Sequence, residues 1–196
     1  MPDINKIIQI QSNNIKPIQG RLLISEPFLS DYYFKRSIVA ILDHTEDGTI
    51  GIVLNKEIGV KLSDIFKDIP KNNFHLYLGG PIRTDNLYYI HKIGKKINNS
   101  IHITEGIYWG GDLDSVKELI EQGQLHDGNI RFFLGYSGWA PLQLDEELKL
   151  NSWIVSRTHI SKILSFEPSL AWNKTLELMG GVYKYWTNFP KDPLSN

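Results

Sequence analysis

The chain has 196 residues, a length usual for one domain, and its 41% apolar and 22% charged content fits a globular protein and excludes a disordered one. Lys plus Arg (21) nearly cancels Asp plus Glu (22), leaving a net charge of −1, and so argues against nucleic acid as the main partner. There is no cysteine, which excludes disulfides, thiol catalysis and thiolate-bound metals.

The spacing of Ile4, Ile7 and Ile8 predicts a short amphipathic helix, ended by Asn13-Asn14. The segment lacks the apolar stretch of a signal peptide. Gly20–Ser25 reads as a strand, stopped by Glu26-Pro27. Ser37–Asp43 and Thr49–Asn55 read as the strands of a hairpin, with Asp47-Gly48 in its loop. The longest apolar run, Ile38–Leu42, is far too short to span a membrane, so a cytoplasmic protein is expected.

Leu62, Ile65 and Phe66 predict a short helix closed by Pro70. Phe74–Leu78 reads as a strand running into a Gly79-Gly80-Pro81 turn. Leu87–His91 and Ile101–Thr104 read as strands around a polar loop, where Lys92, Lys95 and Lys96 form a solvated basic stretch. Gly110-Gly111-Asp112 leads into a helix with Leu113, Val116, Leu119 and Ile120 on one face, capped by Asp112 or Asp114. Ile130–Leu134 reads as a strand, and Gly135–Trp139 as a sharp turn after it. A helix follows over 141–150, then a strand over Trp153–Ser156. Ile160–Leu164 and Leu170–Met179 read as helices, the second stopped by Gly180-Gly181, and the tail from Asn188 reads as extended. Strands come early and helices late without βαβ alternation, which predicts an α+β fold.

No catalytic or cofactor motif is complete in the sequence. The six histidines, His44, His75, His91, His102, His126 and His159, show no metal-ligand spacing, so no metal or cofactor is expected. Ser137 sits where a nucleophile elbow would place it, but Trp139 stands at the second glycine's position. Asp145 and His159 follow too closely for the usual triad order, so no catalytic residue is assigned. Gly110-Gly111 is a poor phosphate cradle because Asp112 and Asp114 stand where the anion would bind. The helix over 141–150 carries Asp145, Glu146 and Glu147, a poor reader of a DNA groove, and its polar face is expected in solvent or against a basic protein. Arg36 is expected to pair with Asp31 or Asp43, and Asn55 to cap a turn.

The segments Gly20–Ile24, Phe34–Val39, Asp43-His44, Gly48–Asn55, Gly79–Ile82, Ile90-His91, Arg131–Trp139 and Gln143-Leu144, taken in this order, resemble the AlgH/YqgE family of small bacterial proteins. The resemblance runs from about Gly20 to Trp153, with a helical extension over 154–196. This chain has Glu57 after Asn55-Lys56 where the family often has Pro, and Leu142 where it tends to have Gly. The resemblance implies a mixed, mostly antiparallel bent sheet that curls into a partial barrel with helices packed outside. It implies no established catalysis; members often carry the label of transcriptional regulator. The expected role is regulatory or adaptor, through a protein partner or small ligand. The cleft expected for that role would gather Arg36, Ser37, His44, Asn55, Gly79, Gly80, His91, Tyr136 and Trp139. A hydrolase built on His44, His91 or Ser137, and a direct DNA binder, are the alternatives.

Overall fold

A computed structural model of the chain describes residues 13–190. The helix expected around Ile4–Ile8 and the tail beyond Pro190 lie outside the described residues.

The strands are β1 (Leu22–Ser25), β2 (Ile38–Thr45), β3 (Gly48–Val53), β4 (Glu57–Lys61), β5 (His75–Leu78), β6 (Ile82–His91), β7 (Ile101–Thr104), β8 (Ile107–Trp109), β9 (Ile130–Trp139) and β10 (Trp153–Ser156). The helices are α1 (Leu62–Ile65), α2 (Leu113–Glu121), α3 (Gln143–Lys149), α4 (Ile160–Leu164) and α5 (Pro168–Met179), with 3-10 turns at Gly94–Lys96 and Tyr183–Asn188. The expected α+β class and mostly antiparallel, curled sheet are both present. The main strand order is β10-β1-β2-β3-β9-β6-β8-β7, open at both ends.

The sheet divides at β9. β6 runs antiparallel along one edge of it. The other edge is shared: Phe132–Leu134 pair in parallel with β5, and Ser137–Trp139 pair antiparallel with β3. β5 carries β4 on its far side.

β2 explains why its sequence is apolar without a break. Ile38, Ala40 and Leu42 face a core shared with α4, α5 and Trp186. Val39 and Ile41 face the opposite core with Trp139, Trp153 and Leu144 of α3. A strand buried on both faces loses the alternation that a half-exposed one keeps. A separate core holds α2 against Leu76, Tyr89 and Phe132 through Val116 and Leu119.

Gly135–Trp139 is not a turn but the second half of β9. The glycines that suggested a turn instead let two backbones meet. A Cβ on Gly79 would fall on the Gly135 carbonyl oxygen, so Gly79 can hold its bonds to Leu134 O and Val53 N, both 2.8 Å, only without a side chain. β6 starts at Ile82 rather than Leu87; its first half is hidden from an apolar pattern because Arg83–Asn86 are exposed and interrupt its pairing with β9. Glu57–Lys61, Ile107–Trp109 and Tyr183–Asn188 are further elements that the sequence reading did not predict. Asp112 stands at the start of α2, yet its carboxylate accepts from Asn99 Nδ2 (2.9 Å) and makes no cap bond. The stop at Gly180, with φ 67°, is as expected.

Leu142 precedes α3 with φ 65° and its side chain 74% exposed. A left-handed conformation costs an L-residue roughly 1–2 kcal/mol, partly offset by the backbone entropy glycine loses on folding. Leu142→Gly is therefore expected to stabilise the protein by about 0.5–1 kcal/mol. The check is a rise in urea midpoint at unchanged slope; an unchanged midpoint would mean that the left-handed turn carries no strain.

Candidate functional site

The largest cleft among those described, about 680 Å³, lies between the turn before β2, the turn after β3 and the start of α5. Asp31 shapes the first turn, since its Oδ1 accepts from the N–H groups of Tyr33 (2.8 Å) and Phe34 (3.1 Å). The turn ends at Arg36, held at φ 50°. Arg36 does not pair with Asp31, nor with Asp43, which accepts from the His44 N–H. Its guanidinium lies over the Trp172 ring, 4.8 Å from the centroid, and Nη2 donates to the Phe189 carbonyl. It thereby fastens the C-terminal 3-10 segment to the beginning of β2.

Asn55 does not cap its own turn, as the sequence suggested, but bridges back to the turn before β2. Its Oδ1 accepts from Ile38 N (2.8 Å) and its Nδ2 donates to Arg36 O (3.0 Å), so its amide completes the ladder where β2 begins. Lys56 follows, with its Nζ donating to the Lys35 carbonyl. Burial, and then the charge of Lys35, hold the Lys56 amine below the ordinary lysine range. Lys35, Arg36 and Lys56 all line the cleft.

Two carboxylates also line it, and both are engaged elsewhere. Glu57 pairs with His75 Nδ1 (3.0 Å) and accepts from the Tyr77 hydroxyl (3.3 Å). Glu167 caps α5, accepting from Leu170 N (3.1 Å) and the Ser169 hydroxyl. The cationic wall therefore carries no ion pair among the described residues.

A second, open cleft of about 360 Å³ is lined by Asp43, Asp47, Ile50, Tyr136 and Trp139. His44 lines a hollow beside it, with Nδ1 2.7 Å from Thr49 Oγ1. Of the nine expected residues, Arg36 and Asn55 thus share the larger cleft, and Tyr136 and Trp139 the smaller. Ser37 is buried, its N–H donating to Ser25 Oγ (2.8 Å). Gly79 and Gly80 are packed against β9. Ser137 is fully buried, and its hydroxyl donates to the Gly79 carbonyl (3.1 Å).

His91 is fully buried, stacked near Tyr108. Its Nε2 donates to Gly110 O (3.2 Å) and its Nδ1 accepts from Ile93 N (3.3 Å). Desolvation lowers its pKa below the ordinary 6.5, against a smaller upward pull from the Gly110 carbonyl. The unfolded chain then binds a proton that the folded ring refuses. Stability is full above about 6.5 and falls as pH drops from there toward the lowered value. We expect His91→Gln, which keeps a donor and cannot protonate, to lose less stability than the wild type between pH 7.5 and 5.5 in urea titrations. Equal losses would show that His91 does not titrate on folding.

The sequence reading missed Lys56, Trp172, Arg131 and Glu147. Lys56 had a signal, a cation two positions past the apolar run Ile52–Leu54, after Asn55. Glu147 stood among acidic neighbours and read as solvent-facing, but its Oε2 accepts from the indoles of Trp139 (2.8 Å) and Trp153 (2.7 Å). Among the described residues, no group of three His, Asp or Glu is placed to hold a metal, and no helix is long and apolar enough to cross a membrane.

Comparison with known proteins gives a consistent picture. Residues 22–184 match a family model described as AlgH-like. The chain is 44% identical over 191 residues to a UPF0301 protein of Bacteroides thetaiotaomicron, covering 97% of each. It is 42% identical over 198 residues to one from Parabacteroides distasonis, covering 100% of each. The fold is similar to the crystal structure of a Corynebacterium diphtheriae protein, with TM-score 0.74 and 21% identity over 89% of this chain and 94% of that one. It is also similar to the solution structure of the AlgH protein from Pseudomonas aeruginosa, with TM-score 0.70 and 23% identity over 85% and 92%.

Proposed function

The chain belongs to the AlgH-like family, and from that membership we propose that it is a regulatory or adaptor protein that works by binding at the cleft beside α5. The observation that carries this reading is the wall of Lys35, Arg36 and Lys56, three cations on a concave surface whose neighbouring carboxylates are engaged elsewhere. Its volume suits a small ligand or the tip of a partner segment. Arg36 also fastens the Phe189 segment, which gives an occupant of the cleft a route to the C-terminal surface.

The test uses purified wild type and Asn173→Trp, which fills the cleft from α5. Thermal shift against a panel of neutral, cationic and anionic metabolites, and affinity capture of proteins, are expected to give binding by the wild type that the tryptophan abolishes. Model esters are assayed alongside. Their hydrolysis by the wild type, lost on Ser137→Ala, would overturn the reading.

A further inference from the structure

We propose that this cleft is a site for a small anion of the phosphate or carboxylate class, gripped by the Lys56 ammonium with Lys35 and Arg36 completing its charge. The inference rests on the binding reading above and names the chemistry of the occupant. A partly buried ammonium without a counter-ion is costly, and proteins ordinarily pair such groups. Here no Asp or Glu among the described residues lies in ion-pair range of Lys35, Arg36 or Lys56.

The donors are in excess as well. An ammonium has three N–H groups, and Lys56 directs one of them to the Lys35 carbonyl. The Arg36 Nε is buried and has no hydrogen-bond partner. Lys35 and Arg36 precede β2, Lys56 and Glu57 follow β3, and Glu167 caps α5. Glu57 is held by His75 and Tyr77 and Glu167 by the first turn of α5, and three cations against two carboxylates leave the net charge of the cleft positive. A neutral or cationic occupant would leave it unmet. An anion meets it at the place where the turn, the hairpin end and α5 converge.

Isothermal titration of the full chain at low ionic strength tests this, with inorganic phosphate and succinate as separate probes and sodium chloride at matched ionic strength as control. We expect one-to-one saturation by at least one dianion, and which one saturates distinguishes the phosphate source from the carboxylate one. Lys56→Met and Lys35→Met should each weaken binding tenfold or more. The second variant leaves the backbone carbonyl that receives Lys56 in place, so it separates charge from folding. An anion raises the depressed pKa of Lys56, so binding should take up protons at alkaline pH. The apparent heat would then vary with the ionisation enthalpy of the buffer, a response a purely structural lysine would not give. A chloride response equal to that of the dianions, or undiminished affinity in both variants, overturns the inference. If neutral ligands seat in the cleft while both dianions fail, the anion inference falls and the binding reading stands. Ester turnover dependent on Ser137 removes the binding reading itself.

Discussion

Glu147→Ala is expected to lower the free energy of unfolding by about 4 kcal/mol, since each of two buried donors left without an acceptor costs roughly 1–3 kcal/mol. One carboxylate oxygen receives the indole N–H groups of both Trp139 and Trp153, and the other receives Gln143 Nε2 at 3.0 Å. Both tryptophans are buried, at 6% and 1% exposure, so their side chains cannot turn outward to find another acceptor without leaving the core. Their rings meet edge to face at 5.9 Å, between the end of β9 and the start of β10. Glu147 thereby ties α3 to both ends of the chain excursion that it forms. Glu147→Gln keeps one acceptor oxygen for the indoles but loses the charge and the bond from Gln143 Nε2, so its cost should be about 1–2 kcal/mol. Urea unfolding followed by tryptophan fluorescence measures both. A cost below about 1 kcal/mol for the alanine variant would mean that the indoles find other acceptors.

The second large effect is expected at Arg131, on β9. Its Nη1 donates to Leu54 O (2.9 Å), its Nη2 to Leu164 O (3.0 Å), and its guanidinium lies 4.4 Å from the Tyr77 ring centroid. It joins the end of the β3 segment to the last turn of α4, where a cation meets the carbonyl end of the helix. No carboxylate pairs with it, so burial lowers its pKa from the ordinary value, while Tyr77 and Asp127 pull the other way. Arg131→Met keeps much of the volume and leaves two carbonyls without donors, at an expected cost of about 3 kcal/mol. Arg131→Lys has the charge without the planar fork and should lose about half as much. Buried charges sometimes give way to apolar groups without loss. If the Met variant is as stable as wild type, relief of desolvation outweighs the two hydrogen bonds and the ring contact.

Both residues bear on how far the fold was legible. The β2–β3 hairpin, the amphipathic α2 and the Gly180 stop could be read because their signals are local: an Asp-Gly turn, a 3.6 period, a left-handed end. The glycines of β9 could not, because Gly135 answers to Gly79, 56 positions earlier in the chain, and proximity in space leaves no mark in either neighbourhood. β4 was missed because Gly59 and two charged ends hide a five-residue edge strand. For the site, Arg36 and Asn55 were singled out, but their partners were misassigned. Phe189 and Ile38 are backbone groups, which any sequence supplies at every position. Glu147 and Lys56 escaped for the same reason, since their roles depend on neighbours brought in by the sheet rather than by the chain.

The branching of the sheet at β9 also orders events in time. β3, β5 and β6 each pair on one side with residues 130–139, so they leave the ribosome well before the strand they share. Until then the β2–β3 hairpin and β5 carry unpaired edges, the part of a nascent sheet most exposed to wrong partners. β1 waits longer still, for β10. The branch point of the sheet is therefore completed late, by a strand placed two-thirds of the way along the chain, and chain order sets the earliest moment at which three strands can find their shared partner.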